Sequence, residues 1–310
     1  MIRRLIAACG IVLLAGCGGD EVSPDRYPRY EPLAKAPRVA LVLGSGGPRG
    51  FAHIGVLKVL EEQGVKPDII IGSSVGALVG ALYAGGYSAA ELEKMAYGVN
   101  LLKFFEWGML TRSRATGSAI QEYVNECLRG RTIEQLAIPF VAVATHMPDK
   151  SLVYFTRGDP GLAVRASGAD QSQFLPVKIG NETFIDGDVA SPVPIRAARQ
   201  LGAKVVIAVD VSAYLEDTPP GVPEDWVTKD ERRAKQIHAE APDADVLLHP
   251  NIGYYAGHDE KYRHQVIRMA EQYTRAKIAE VRAAYAHHGM QVAPAQATPV
   301  ARIPSADASR

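Results

Sequence analysis

The chain has 310 residues, 47% of them hydrophobic and 22% charged, enough apolar material for a buried core and too much for an intrinsically disordered protein. Its 34 basic and 34 acidic side chains cancel, so no positive surplus points to nucleic acid as a partner. Three cysteines make neither a disulfide framework nor a four-ligand zinc site. Oxygen and nitrogen side chains are left to carry the chemistry.

The chain opens Met1-Ile2-Arg3-Arg4, then runs apolar from Leu5 to Gly16. A basic start before such a run is a secretory signal, too short to be a membrane span of roughly 20 residues. It ends Leu14-Ala15-Gly16-Cys17, which resembles a bacterial lipobox: small residues admit the signal peptidase and the thiol accepts the acyl group. Residues 1–16 are therefore expected to be a lipoprotein signal peptide and Cys17 the lipidated N-terminus. The implied place is the bacterial cell envelope. Gly18 rather than Asp after Cys17 resembles the outer-membrane pattern, with the domain facing the periplasm. Loss of Arg3 and Arg4 tips the balance slightly acidic, so membrane attachment would rest on lipid and not on a basic surface. Cys127 remains as a thiol with nothing to pair. Residues 17–37, with Pro24, Pro28, Pro32 and Pro37, read as a semi-extended tether that at ~3.1 Å per residue reaches up to about 60 Å.

Residues 38–289 read as one domain, and 290–310, rich in Ala, Pro and Ser, as a disordered tail. Arg38–Leu43 is an apolar, β-branched run of the kind buried on both faces of a sheet. Apolar residues at Ile54, Val56, Leu57 and Leu60 predict a helix over Phe51–Gln63, stopped by Gly64. Asp68–Ile71 predicts a second strand and Val75–Ala84 a second helix. Further strands are predicted at Phe140–Thr145, Leu152–Thr156, Thr183–Ile185, Lys204–Val211 and Asp245–Leu248. Helices follow at Ala89–Tyr97, Ser118–Leu128, Ile195–Leu201, Lys229–Ala239 and Asp259–His287. Strand–helix alternation in short units implies crossovers, hence a three-layer α/β/α fold with a mostly parallel central sheet.

Two glycine-bracketed segments sit at the carboxyl ends of the first two strands, the edge where open α/β sheets bind ligands. Gly72-Ser73-Ser74-Val75-Gly76 fits G-x-S-x-G, a sharp strand-to-helix turn that projects a serine Oγ and needs tiny residues on either side. Ser74 is the candidate nucleophile. Gly44-Ser45-Gly46-Gly47-Pro48-Arg49-Gly50 fits the dinucleotide fingerprint in neither register and lacks a P-loop Lys. It reads instead as a nest of backbone N–H groups at a helix start, able to hold an oxyanion. A serine needs a base. None of the eight histidines lies in a special setting. Phe184-Ile185-Asp186-Gly187-Asp188 ends a short strand, and Gly187 is expected to supply an unusual backbone angle that aims Asp186 into the site.

The run LVLGSGGPRGFAHIGVLKVLEEQGVKPDIIIGSSVGALVGALYAGGYS, then Asp186-Gly187 and VPIRAARQLGAKVVIAVDV, resembles the patatin-like phospholipases over residues 38–212. The resemblance implies a Ser-Asp dyad of Ser74 and Asp186, with an oxyanion hole of backbone amides at Gly46 and Gly47 near Arg49. It also implies hydrolysis of lipid acyl esters through an acyl-enzyme, with no metal or cofactor. Partners would be a lipid or acyl ester substrate and the membrane surface. The sequence departs from the family pattern in three places: Ser45 and Asp188 stand where glycine or a small residue is usual, and Ala166–Pro176 lacks the usual proline and small residues. Two alternatives stay open: a Ser-His-Asp α/β-hydrolase using Asp210 and His249, and a lipoprotein scaffold with a degenerate site. The apolar stretch 100–110 reads as a core-facing helix or as a lipid-meeting lid.

Overall fold

A computed structural model of the chain describes residues 22–98 and 114–292. The signal peptide, Cys17, the stretch 100–110 and the tail from 293 lie outside the described residues.

Among the described residues eight strands form one sheet: β1 (Val39–Leu43), β2 (Ile69–Ser73), β3 (Phe140–His146), β4 (Leu152–Phe155), β5 (Val177–Ile179), β6 (Glu182–Ile185), β7 (Val205–Val209) and β8 (Val246–Leu248). The order is β5-β6-β3-β2-β1-β7-β8, with β4 also paired to β3. The pairings from β3 to β8 are parallel, and β4, β6 and β5 join antiparallel at one end. The mostly parallel sheet expected from strand–helix alternation is the one observed.

Among the described residues eight helices flank it: α1 (Phe51–Glu62), α2 (Val75–Ala84), α3 (Ala89–Gly98), α4 (Ser118–Cys127), α5 (Pro160–Ser167), α6 (Ile195–Gln200), α7 (Glu224–Glu240) and α8 (Glu260–His287). Because successive strand residues point to opposite faces, β1 feeds two cores. Val39, Leu41 and Leu43 join a large cluster under α1, α2, α3, α4, α5 and α8. Ala40 and Val42 join Ile69, Ile71, Val141 and Val143 in a smaller one under α6 and α7. The three-layer α/β/α architecture is thus present.

Two elements were not expected from sequence. Helix α5 begins Pro160-Gly161, which reads as a turn. In the structure Pro160 takes the first helical position, where its missing N–H costs nothing, and Asp159 caps by accepting from the Leu162 N–H at 2.7 Å. Strand β5 has only three residues between Pro176 and Gly180, too few for a period to show. Helix α7 starts at Glu224, five residues earlier than expected, with Glu224 and Asp225 complementing the dipole of its first turn.

Residues 22–37 depart from the extended tether. The Arg29 N–H donates to the Arg157 carbonyl at 3.1 Å and the Arg29 carbonyl accepts from the Thr156 N–H at 3.0 Å, while Glu31 pairs with Arg157 at 2.6 Å. Val22 and Tyr27 pack on the main core. Pro24 opens a short 3-10 helix, Pro24–Arg26, and the backbone from there on lies along the domain. Met290 and Val292, expected in the tail, pack on the same core.

Candidate active site

Strand β2 ends at Ser73 and α2 begins at Val75, so Ser74 takes the whole change of direction and adopts φ 54°, ψ −121°. A non-glycine residue in that region is strained, and such strain gathers at functional sites. The neighbours permit it only because they lack side chains: a Cβ on Gly76 would lie 2.1 Å from the Leu43 carbonyl oxygen. The turn therefore packs directly on the end of β1, and the serine is held up from it.

The Ser74 hydroxyl donates to Asp186 Oδ2 at 2.9 Å, across a separation of 112 residues. Asp186 follows β6 and is itself tied down: its Oδ1 accepts from the Asp188 N–H at 2.8 Å, and its carbonyl from the Thr145 hydroxyl at 2.7 Å. The Ser74 N–H donates to Ser167 Oγ, at the end of α5, at 2.8 Å. Gly187 acts differently from the expectation. It does not have a positive φ; it is needed because a Cβ there would stand 2.6 Å from the Val143 carbonyl oxygen of β3. Close approach, not an unusual angle, requires the glycine.

Asp186 is buried, which pushes its carboxyl well above the ordinary carboxylate range, and the nearby charge of Asp188 pushes it further. Asp188 shifts the other way. Burial opposes its ionisation, yet Arg233 and Arg232 at 2.7 Å each, with the Ser45 hydroxyl, hold it far below that range. Two carboxylates two residues apart are thereby driven to opposite behaviours, one a proton acceptor near neutrality and the other a fixed anion.

In the glycine loop the Ser45 N–H donates to the Pro192 carbonyl and the Arg49 N–H to the Gly46 carbonyl. Gly46 and Gly47 line the cavity beside Ser74, and among the described residues their amides make none of the bonds that fasten the rest of the loop. Arg49 is placed otherwise: its amide is used in the turn, and its side chain reaches the Tyr254 carbonyl, away from the cavity lining. Buried His53, kept neutral by burial with a pKa near 4, meets the Gly44 carbonyl through Nε2 at 2.8 Å and steadies the loop's start.

Ser74, Asp186, Gly46 and Gly47 open on a cavity of about 530 Å³. One side is apolar, built by Ile54, Leu78, Leu82, Leu92, Met95 and Tyr123 of α1 to α4. The other is polar, with Asp170 to Gln173 facing Lys229, Arg232 and Arg233 of α7. The segment with unusual sequence before Pro176 thus forms cavity wall. Asp210 and His249 stand 3.5 Å apart, but His249 stacks on Tyr214, its Nε2 lies 3.1 Å from the Ser212 carbonyl, and neither residue lines the cavity. Sequence reasoning passed over Arg232 and Arg233, which sit in a charge-rich helix with no motif. The one available signal was that a carboxylate at position 188 needs a buried cation. Among the described residues no cluster of side chains is arranged to hold a metal.

The family model described as patatin-like phospholipase matches residues 41–199, about half of the chain, and Ser74, Asp186 and the glycine loop fall inside it. The chain belongs to the patatin-like phospholipase family. An uncharacterized NTE family protein of Mycobacterium tuberculosis is 33% identical over 202 residues, 63% of this chain and 56% of that protein. The human patatin-like phospholipase domain-containing protein 6 is 35% identical over 204 residues, 62% of this chain and 15% of that protein. The chain thus matches little more than half the length of its mycobacterial relative and a far smaller part of the human one. Among solved structures, VipD from Legionella pneumophila aligns at TM-score 0.48 with 13% identity, over 82% of this chain and 70% of that one.

Proposed function

We propose that the protein is a serine acyl hydrolase of the phospholipase A, lysophospholipase or esterase type, cleaving acyl esters of lipids through Ser74 and Asp186. One observation carries this reading: a serine strained onto a strand–helix turn donates to a buried carboxylate and opens on a largely apolar cavity. Its volume falls in the range of roughly 300–1,000 Å³ usual for ligand pockets. Family membership supports the substrate class.

Asp186 accepts the Ser74 proton as Oγ attacks the ester carbonyl. The amides of Gly46 and Gly47 receive the developing oxyanion. Collapse breaks the acyl–oxygen bond, the alcohol leaves with the proton from Asp186, and the acyl group stays on Ser74. Water then gives Asp186 a proton and attacks the acyl-enzyme, returning free serine and fatty acid. Carboxylate is a weaker base than imidazole, so the upward shift of Asp186 matters: it brings the base closer to the operating pH.

At the membrane, Cys17 is the acylated anchor of this reading, and the periplasmic face of the outer membrane the place of work. The primary test is a fluorophosphonate probe with a panel of phospholipid, lysophospholipid and neutral ester substrates. Parent protein is expected to label and hydrolyse, while Ser74→Ala loses labelling and about 10⁴-fold or more in kcat. Full activity of Ser74→Ala would overturn the assignment. Resistance of the parent to the probe, with no turnover, would favour the degenerate scaffold.

A further inference from the structure

Two of the positions at which the chain departs from its family's pattern, Ser45 and Asp188, are 143 residues apart and meet: the Ser45 hydroxyl donates to Asp188 Oδ1. The contact is one link of a closed circuit. Asp188 Oδ1 also accepts from Arg233 Nε at 2.7 Å, and Arg233 Nη1 reaches Asp230 Oδ1 at 3.2 Å. Asp230 Oδ2 accepts from the Tyr254 hydroxyl at 3.0 Å, and the Tyr254 carbonyl accepts from Arg49 Nη2. Arg49 stands four residues after Ser45, at the other end of the same glycine loop. Arg232 closes the free oxygen of Asp188 from outside at 2.7 Å. Asp188 also donates its N–H to Asp186 Oδ1, so one residue touches both the loop and the base.

Such a circuit is a poor way to gain stability. Desolvating buried ions costs about as much as their pairing returns, so its use is conformational specificity where a position must be held. Here it grips both ends of a loop whose middle amides, among the described residues, are unfastened. We propose that Asp188 is a positioning residue that, through Ser45 and the Arg233–Asp230–Tyr254–Arg49 chain, holds the oxyanion loop in register with Asp186. The proposal rests on the hydrolase reading above. The charged groups that face Asp186 are Asp188, Asp170 with its partner Lys229, and Arg232 and Arg233 of α7.

The test measures kcat, KM and pH profiles on a soluble short-chain ester for Ser45→Ala, Tyr254→Phe, Asp188→Asn and Ser74→Ala. Loosening the loop by a fraction of an ångström is expected to lower kcat about tenfold in Ser45→Ala and about threefold in Tyr254→Phe, with KM within about twofold. Asp188→Asn should also move the acid limb of the profile to lower pH, because it removes a like charge from Asp186 and leaves Arg233 in place. A purely structural role would lower melting temperature and leave kcat of Ser45→Ala and Tyr254→Phe at the parent value. If Asp188→Asn does not fold, Ser45→Ala and Tyr254→Phe decide the matter. The proposal is overturned if both keep the parent kcat within about twofold while Ser74→Ala is inactive. If Ser74→Ala keeps full activity, it is the hydrolase reading that fails.

Discussion

On one side of Ser74 the cavity is closed by apolar side chains from four helices; on the other, by a loop and a helix joined through ion pairs. The apolar side rests on non-directional burial, so many side chains of similar volume would serve, and changes there should be graded. The polar side rests on bonds with fixed geometry, in which each buried group depends on its neighbour, and changes there should be abrupt. A hydrolase of lipids needs both: tolerance where a chain lies, and exact register where a proton moves.

Replacing Asp186 with Asn should separate the two most sharply. The amide still accepts from the Asp188 N–H and donates to Ser74, but it takes no proton, so kcat should fall about 10³–10⁴-fold. The sign of the stability change is opposite. A carboxyl whose folded value is raised binds protons more tightly folded than unfolded, so its ionisation costs stability as pH rises through that value. Asp186→Asn should therefore melt about 2–4 °C above the parent at pH 8 and close to it at pH 5, measured by calorimetry. A lower melting temperature at both pH values would contradict the burial argument.

Gly76→Ala pushes a Cβ against the Leu43 carbonyl oxygen with no flexible atom to yield, and should cost about 2–4 kcal/mol with loss of probe labelling. Normal stability in denaturant titration would show that the turn has more room than its packing indicates. The smallest effect belongs to the apolar wall. Leu82→Phe should shift preference toward shorter acyl chains by about 2–10-fold, with little change on the shortest esters. An equal loss for all chain lengths would mean that Leu82 is not in the acyl path.

Most of the sheet was legible because strands buried on both faces read as continuous apolar runs. Val39–Leu43 and Ile69–Ser73 are such runs, and Gly72 and Gly76 announce the turn between strand and helix. Asp186 was legible as a carboxylate at a strand end. What Asp188 does was not: its partners come from Ser45 and from α7, and no local pattern records a contact across 143 residues. Gly187 was read for the wrong reason because a required glycine looks the same whether angle or space demands it. Residues 22–37 were misread because proline spacing reports an extended backbone and says nothing of what that backbone lies against.

That last segment changes the scale on which the domain would meet a membrane under the proposed anchoring. With residues from Val22 onward laid along the domain, only four residues separate it from Cys17, the proposed anchor, a leash of five steps that spans at most about 16 Å at ~3.3 Å per residue. A domain of about 250 residues has a radius of gyration near 18 Å, so the leash is shorter than the body it holds. A lipid on Cys17, as proposed above, would leave the domain little room to stand off from its membrane. On that proposal the domain would rest against the bilayer that anchors it, and the lipids within its reach would be those of its own leaflet.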